Sequence, residues 1–154
     1  MATATFAMGC FWGPDGLFRS VPGVTDVVVG YAGGDVDNPT YEQVCGGTTG
    51  HAETVQVEFD PAEIDFNGLL DVFWDNHNPT TRDRQGPDIG RQYRSVIFVH
   101  DDSQRVAAER SRAARQQQLP QPIVTEIEPF SAFYRAEEYH QRYLEKHGAA
   151  SCHI

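Results

Sequence analysis

Cys10 ends a short apolar run and stands in Met8-Gly9-Cys10-Phe11-Trp12-Gly13, just ahead of Pro14 and Asp15. Proline just inside a helix start and an acid in its first turn are N-terminal helix signals. The sequence therefore predicts a thiol at or beside a helix N-terminus, where unpaired N–H groups and the positive end of the dipole favour a thiolate. Phe11 and Trp12 follow directly, so an apolar platform would stand beside the nucleophile. Taken alone, the same residues fit an inert thiol in a strand–helix turn flanked by core aromatics.

Four further segments carry groups capable of chemistry. Asn38 to Cys45 offers the phenol of Tyr41 and a second thiol, Cys45. Thr48 to Glu53 brings the carboxyl of Glu53 to the start of a strand. Gln85 to Ser95 holds Asp88 and Tyr93 at a loop–strand junction. Ser151-Cys152-His153 offers a third thiol near the end of the chain. Cys45 reads as a buried structural thiol, His51 as a local hydrogen-bonding residue, and the run Arg82, Arg84, Arg91, Arg94 as a solvated loop face. His77, His140, His147 and His153 do not fall in a metal-ligand spacing with the cysteines, so no metal or other cofactor is expected.

These residues need elements to position them. Thr3 to Met8 reads as a strand leading into Cys10, and Pro14 to Ser20 as a short helix weakened by Gly16. Val24 to Tyr31 is β-branched and reads as a strand; Ala32 to Thr40 reads as a loop. His51 to Phe59 alternates, with Val55, Val57 and Phe59 on one face. Asp65 to His77 has helical spacing, with Phe66, Leu69, Leu70, Phe73 and Trp74 on one stripe. Asn78 to Tyr93 is a long loop, which in a compact domain is more often functional than accidental. Arg94 to His100 reads as a strand, Asp101 to Leu119 as a helix with Ser103 as its cap, Pro122 to Pro129 as a strand, and Ala136 to His147 as a terminal helix. The order predicts an α+β fold: a ferredoxin-like βαββαβ core sheet with helices packed on it, extended by a helix, a strand and a terminal helix. Residues 1–147 are expected to form one domain, and 148–154 a mobile tail carrying Cys152.

Composition narrows the function. The chain has 154 residues with a formal net charge of −10, from 12 Lys+Arg against 22 Asp+Glu. Such acidity repels phosphate backbones, so nucleic acid is not an expected partner. No apolar stretch approaches the roughly 18 residues of a membrane span, and no secretory leader or membrane association is expected. With three cysteines and no Cys-x-x-Cys, the chain carries neither a disulfide scaffold nor a thioredoxin-type motif. A cytoplasmic monomer with reactive thiols is the expectation.

Taken together, the segments resemble the peptide-methionine (S)-S-oxide reductases, the A class of methionine sulfoxide reductases. Gly9-Cys10-Phe11-Trp12-Gly13 matches that family's signature. Tyr41-Glu42-Gln43-Val44-Cys45, Thr49-Gly50-His51-Ala52-Glu53 and Gly90-Arg91-Gln92-Tyr93-Arg94-Ser95 match its other blocks in order, and the likeness covers nearly the whole chain. Two positions depart from the family pattern: Asp15 where a Glu is usual, and Pro87 where an Asn is common before the Asp. The resemblance implies that Cys10 attacks the sulfoxide sulfur. Glu53 protonates the departing oxygen, Tyr41 and Tyr93 donate hydrogen bonds to it, and Asp88 supports. Phe11 and Trp12 hold the substrate methyl group. It also implies thioredoxin as reductant and oxidised proteins or free methionine sulfoxide as substrates. A sulfenic acid on Cys10 would condense with a second thiol. Because Cys45 reads as buried, Cys152 on the small-residue tail is the expected partner. Two other readings use the same residues, a thiol peroxidase and a metal-binding or redox-sensing module. The aromatic wall beside the thiol argues against the first, and the lack of Cys-x-x-Cys against the second.

Overall fold

The computed structural model describes residues 1–147; the tail 148–154, and with it Cys152, lies outside the described residues. In chain order the elements are β1 (Ala2–Met8), α1 (Trp12–Arg19), β2 (Val24–Ala32), α2 (Tyr41–Cys45), β3 (Ala52–Phe59) and α3 (Phe66–Asp75). A small hairpin of β4 (Arg84–Gln85) and β5 (Asp88–Ile89) and a 3-10 turn, Arg91–Tyr93, lead to β6 (Ser95–Val99). Then come α4 (Asp102–Gln116), β7 (Glu126–Pro129), β8 (Phe133–Arg135), a second 3-10 turn, Glu138–His140, and α5 (Tyr143–His147).

The fold is mixed α+β, built on a six-stranded sheet ordered β7-β6-β1-β3-β2-β8. All neighbours are antiparallel except β6 and β7. The central strand β1 is buried on both faces from Ala4 to Met8; its residues there are apolar except Thr5, whose hydroxyl is paired with His100 Nε2 at 2.7 Å. One face belongs to the main core: the Phe6 ring lies 5.5 Å from Phe18 of α1 and 5.2 Å from Phe73 of α3. Burying each such ring contributes about 1.5–3 kcal/mol. The opposite face is a smaller cluster of Ala7, Ala32, Ala52, Val96 and Phe98, covered by Phe130 and Phe133.

Three local readings are corrected, and one element is new. Helix α1 starts at Trp12, with Phe11 as its cap residue, so Pro14 is its third residue. That is tolerated because the first N–H groups of a helix have no intrahelical partner to lose. Tyr41–Cys45, to which the sequence reading assigned no element, is a short helix. Thr40 Oγ1 accepts from Gln43 N at 3.2 Å while Gln43 Oε1 accepts from Thr40 N at 2.9 Å, a reciprocal cap. Asp101, not Ser103, caps α4: Asp101 is extended (φ −154°) and accepts from Gln104 N at 2.8 Å, whereas Ser103 already lies inside the helix. The terminal helix expected over 136–147 is broken. Arg142 has a φ of 53°, and Gln141 turns inward, its amide accepting from Val29 N at 3.0 Å and donating to Val29 O at 2.9 Å. The Gln141 side chain thus replaces a ladder partner for β2, and only Tyr143–His147 remains as α-helix.

Candidate active site

Cys10 lies between β1 and α1, one residue ahead of the helix cap, and is 8% exposed. The strand turns into the helix at Gly9, whose φ of 99° any side chain would strain. Asp15 fixes the same helix from inside: its carboxylate accepts from Arg19 Nε at 2.7 Å and from Arg142 N at 2.8 Å, tying α1 to the C-terminal segment. Burial raises the Asp15 pKa in spite of the Arg19 charge.

Glu53 arrives from β3. Alternation puts it on the same face as Val55, Val57 and Phe59, so a carboxyl occupies the end of a core row, 1% exposed. Its Oε1 lies 3.3 Å from the N–H of Phe11, the residue after the nucleophile, and its Oε2 accepts from Gln92 Nε2 at 3.0 Å. Burial pushes the carboxyl up to about 7, against those two hydrogen bonds and with help from the charge of Asp88. A carboxylic acid that keeps its proton near neutrality is what a buried, partly apolar site produces.

Tyr41 opens α2 and Tyr93 closes the 3-10 turn. Burial raises both phenols, and the negative charge of Glu53 adds to each. Both therefore stay O–H donors at neutral pH. A hydrogen bond with Cys45 raises Tyr41 further, and Asp88 raises Tyr93. Asp88 sits in β5, opposite Gln85, and burial lifts its own pKa. Glu53 bears on both phenols, and Asp88, Cys45 and Cys10 bear on Tyr93, so these five groups and Cys45 lie within electrostatic reach of one another.

The aromatics divide. Phe11 is 1% exposed, its ring 5.8 Å from Tyr31 and 5.2 Å from His140, so it forms part of the core wall. Trp12 is half-buried; its Nε1–H donates to His140 Nδ1 at 3.0 Å and its ring stacks 3.7 Å from Tyr143. The indole, two positions after the thiol, is the less buried of the two rings.

Two sequence readings change here. Cys45 is exposed: Val44 takes the core-facing position of the short helix, and the Cys45 thiol accepts from Gln92 Nε2 at 3.5 Å. Arg94 is not on a solvated face. It is 2% exposed and donates to the carbonyls of Arg91 (3.0 Å) and Gly33 (3.4 Å), with Glu126 at 3.6 Å. Arg82, Arg84 and Arg91 are exposed. His51 bridges backbone, with Nδ1 accepting from Gly34 N at 3.0 Å and Nε2 lying 2.6 Å from Val36 O.

Sequence reasoning missed Gln92, Glu137, His140 and Tyr143. Glu137 accepts from the Tyr31 hydroxyl and from the Tyr41 N–H, each at 2.9 Å. Burial opposes its charge, yet those bonds hold its carboxyl below the usual range. His140 is fully buried; burial lowers its pKa against the pull of Glu137, and its Nε2 has no hydrogen-bond partner among the described residues. The density of ring and polar residues in Glu137 to Tyr143 was the available signal. A hollow of about 660 Å³ behind α1, lined by Gly13, Leu17, Trp74 and Arg115 among others, includes none of the five reactive groups. Among the described residues, no group of three or more His, Cys, Asp or Glu could hold a metal ion, and no helix is long and apolar enough to cross a membrane.

The peptide methionine sulfoxide reductase family model matches residues 2–154. The chain belongs to that family. It is 56% identical over 151 residues to the peptide methionine sulfoxide reductase MsrA of Methanoculleus marisnigri, covering 97% of this chain and 92% of that one. Among solved structures it superposes on Mxr1 of Saccharomyces cerevisiae in reduced form with a TM-score of 0.94 at 39% identity, covering 99% of this chain and 91% of that one. Mxr1 in complex with Trx2 matches with a TM-score of 0.67 at 28% identity, over 99% and 88% of the two chains. This reductase is accordingly an oxidoreductase of the methionine sulfoxide class.

Proposed function

We propose that this reductase acts on the S epimer of methionine sulfoxide, free or in proteins, through a sulfenic acid on Cys10. The observation that carries the reading is the Glu53 carboxyl, buried against the Phe11 N–H and raised to about 7. The Cys10 thiolate attacks the sulfoxide sulfur. Glu53 gives its proton to the oxygen, with Tyr41 and Tyr93 donating hydrogen bonds to the charge that develops there. Oxygen passes to Cys10, leaving methionine and Cys10–SOH. Asp88 supports Tyr93 and Glu53 electrostatically, and Trp12, backed by Phe11, holds the methyl group. Cys152 then condenses with Cys10–SOH, releasing water and forming a disulfide, which a dithiol reductant reopens by exchange. Thioredoxin is that reductant, a reading supported by the yeast relative's complex with Trx2.

The order β6-β1-β3-β2, antiparallel throughout, supports reading the four central strands as a ferredoxin-like split βαβ core. Residues 1–147 act as one catalytic domain of a cytoplasmic monomer, a reading resting on composition and the shared sheet.

The test is turnover of separated sulfoxide epimers with a dithiol reductant. A methyl held against Trp12 with the oxygen toward Glu53 presents one geometry to Cys10, so only the S epimer should react. Equal rates on both epimers would refute the pocket.

A further inference from the structure

Gln92 neither titrates nor attacks, and nothing in its residue type suggests a part in the reaction. Its placement does. It lies in the 3-10 turn just before Tyr93, is 6% exposed, and its Nε2 donates to Glu53 Oε2 at 3.0 Å and lies 3.5 Å from Cys45 Sγ. The other Glu53 oxygen faces the Phe11 N–H at 3.3 Å. The carboxyl is thus gripped on one side by the backbone that follows the nucleophile and on the other by this amide. The turn that carries Gln92 is itself held from below, where Arg94 donates to the Arg91 carbonyl at 3.0 Å.

The geometry points to Gln92 as a positioning residue for the reductase step: its amide fixes the plane of the Glu53 carboxyl against the backbone next to Cys10. The inference rests on the reading of Glu53 as the acid. The terminal torsion of a glutamate is broad and roughly two-fold, so one contact at Phe11 leaves the carboxyl able to rotate, whereas two contacts on different oxygens fix its plane. Orientation matters because a misplacement of about 1 Å in a reacting group can cost on the order of 10²-fold in rate. The amide has a second consequence. Its N–H favours the ionised carboxyl, so it opposes the burial that keeps Glu53 protonated. Gln92 therefore trades some acidity control for orientation.

The other groups that act on Glu53 are Asp88 on β5 and the Phe11 N–H at the helix cap, and the charge of Glu53 in turn raises Tyr31 on β2, Tyr41 on α2 and Tyr93 on the turn. Cys10, between β1 and α1, and Cys45 on α2 act on Tyr93. Gln92→Met and Gln92→Leu leave all of these in place and remove only the donor, with Met the closer match in shape.

The experiment follows the Glu53 carboxyl by ¹³C NMR titration and, in parallel, the pH profile of single-turnover sulfoxide reduction by full-length enzyme. Thermal midpoints select whichever of the two variants is folded. Losing a donor to the carboxylate should raise the Glu53 midpoint by about one pH unit. The alkaline limb of the rate should move up with it, and the rate on the acid side of the midpoint should fall by roughly 10- to 100-fold. A purely structural Gln92 would lower stability without moving either curve. An unmoved Glu53 midpoint in a folded variant overturns the inference. A midpoint that moves while the rate profile stays put supports the grip on the carboxyl and counts instead against Glu53 as the acid.

Discussion

Glu53→Gln should make this reductase slower and, at alkaline pH, more stable. The carboxyl is fully buried and its pKa is raised from 4.5 to about 7. A carboxyl raised in the folded state contributes stability that is complete below the unfolded pKa and is lost as pH rises through the folded one. The slope of stability against pH is therefore negative between about 4.5 and 7, where the unfolded chain has released the proton that the folded chain keeps. At about 1.4 kcal/mol per unit, the ionised Glu53 costs roughly 3 kcal/mol above pH 8. Gln at this position carries no charge to desolvate. It does bring an NH₂ group toward either Phe11 N–H or Gln92 Nε2, and Gln92 must turn its carbonyl to meet it, at a cost of about 1 kcal/mol. The net expectation is a gain of about 2 kcal/mol at pH 8 and a loss of about 1 kcal/mol at pH 4, where wild-type Glu53 is protonated and only the mispaired amide counts. Urea unfolding of wild type and variant across pH 4–9 reads both values. The reductase step should fall by roughly 10²–10⁴-fold, the range for a lost general acid. A variant less stable than wild type at pH 8, with the wild-type slope intact, would refute the assignment of burial as the dominant cause. A rate loss under about threefold would make Glu53 structural.

In Cys10→Ser, reduction should vanish, since serine is a poor nucleophile toward sulfur at neutral pH; turnover above about one per cent of wild type would sink that assignment. Cys152→Ser should release one equivalent of methionine per enzyme and leave a sulfenic acid on Cys10, visible by mass after trapping. A wild-type oxidised product bridged mainly between Cys10 and Cys45 would overturn the choice of Cys152, and the exposure of Cys45 makes that measurement necessary. Asp15→Ala should cost about 1–3 kcal/mol, because it leaves the Arg142 N–H beside a buried gap and removes one partner of Arg19, which keeps the Val27 carbonyl and Asp26; a urea midpoint close to wild type would contradict this.

Much of the site was legible because its chemistry is local in sequence. Gly9 to Gly13 sets the thiol, its aromatic neighbours and the helix start within five residues. The alternation of β3 was also legible, and it holds one clue left unused: Glu53 shares the parity of Val55, Val57 and Phe59, so a charge was already marked for the core face. Gln92 could not be read this way. An amide beside a tyrosine in a polar loop has no pattern of its own, and its meaning comes from Glu53, 39 positions away.

The same division runs through the fold. Sequence alone determined the strands β1, β2, β3 and β6 and the helix α3, since burial of one stripe or one face leaves a periodic trace that local backbone preferences reinforce. It also gave the reaction class, through the resemblance of its motif blocks, in order, to a known family. Only the tertiary structure decided that Cys45 is exposed and Arg94 buried, because a five-residue helix and a loop carry too few turns to show which side faces inward. Only the tertiary structure broke the helix expected over 136–147, where the Gln141 amide gains backbone partners on β2. And only the tertiary structure raised Glu53 to about 7, since desolvation depends on what surrounds a carboxyl in space, not on what precedes it in the chain.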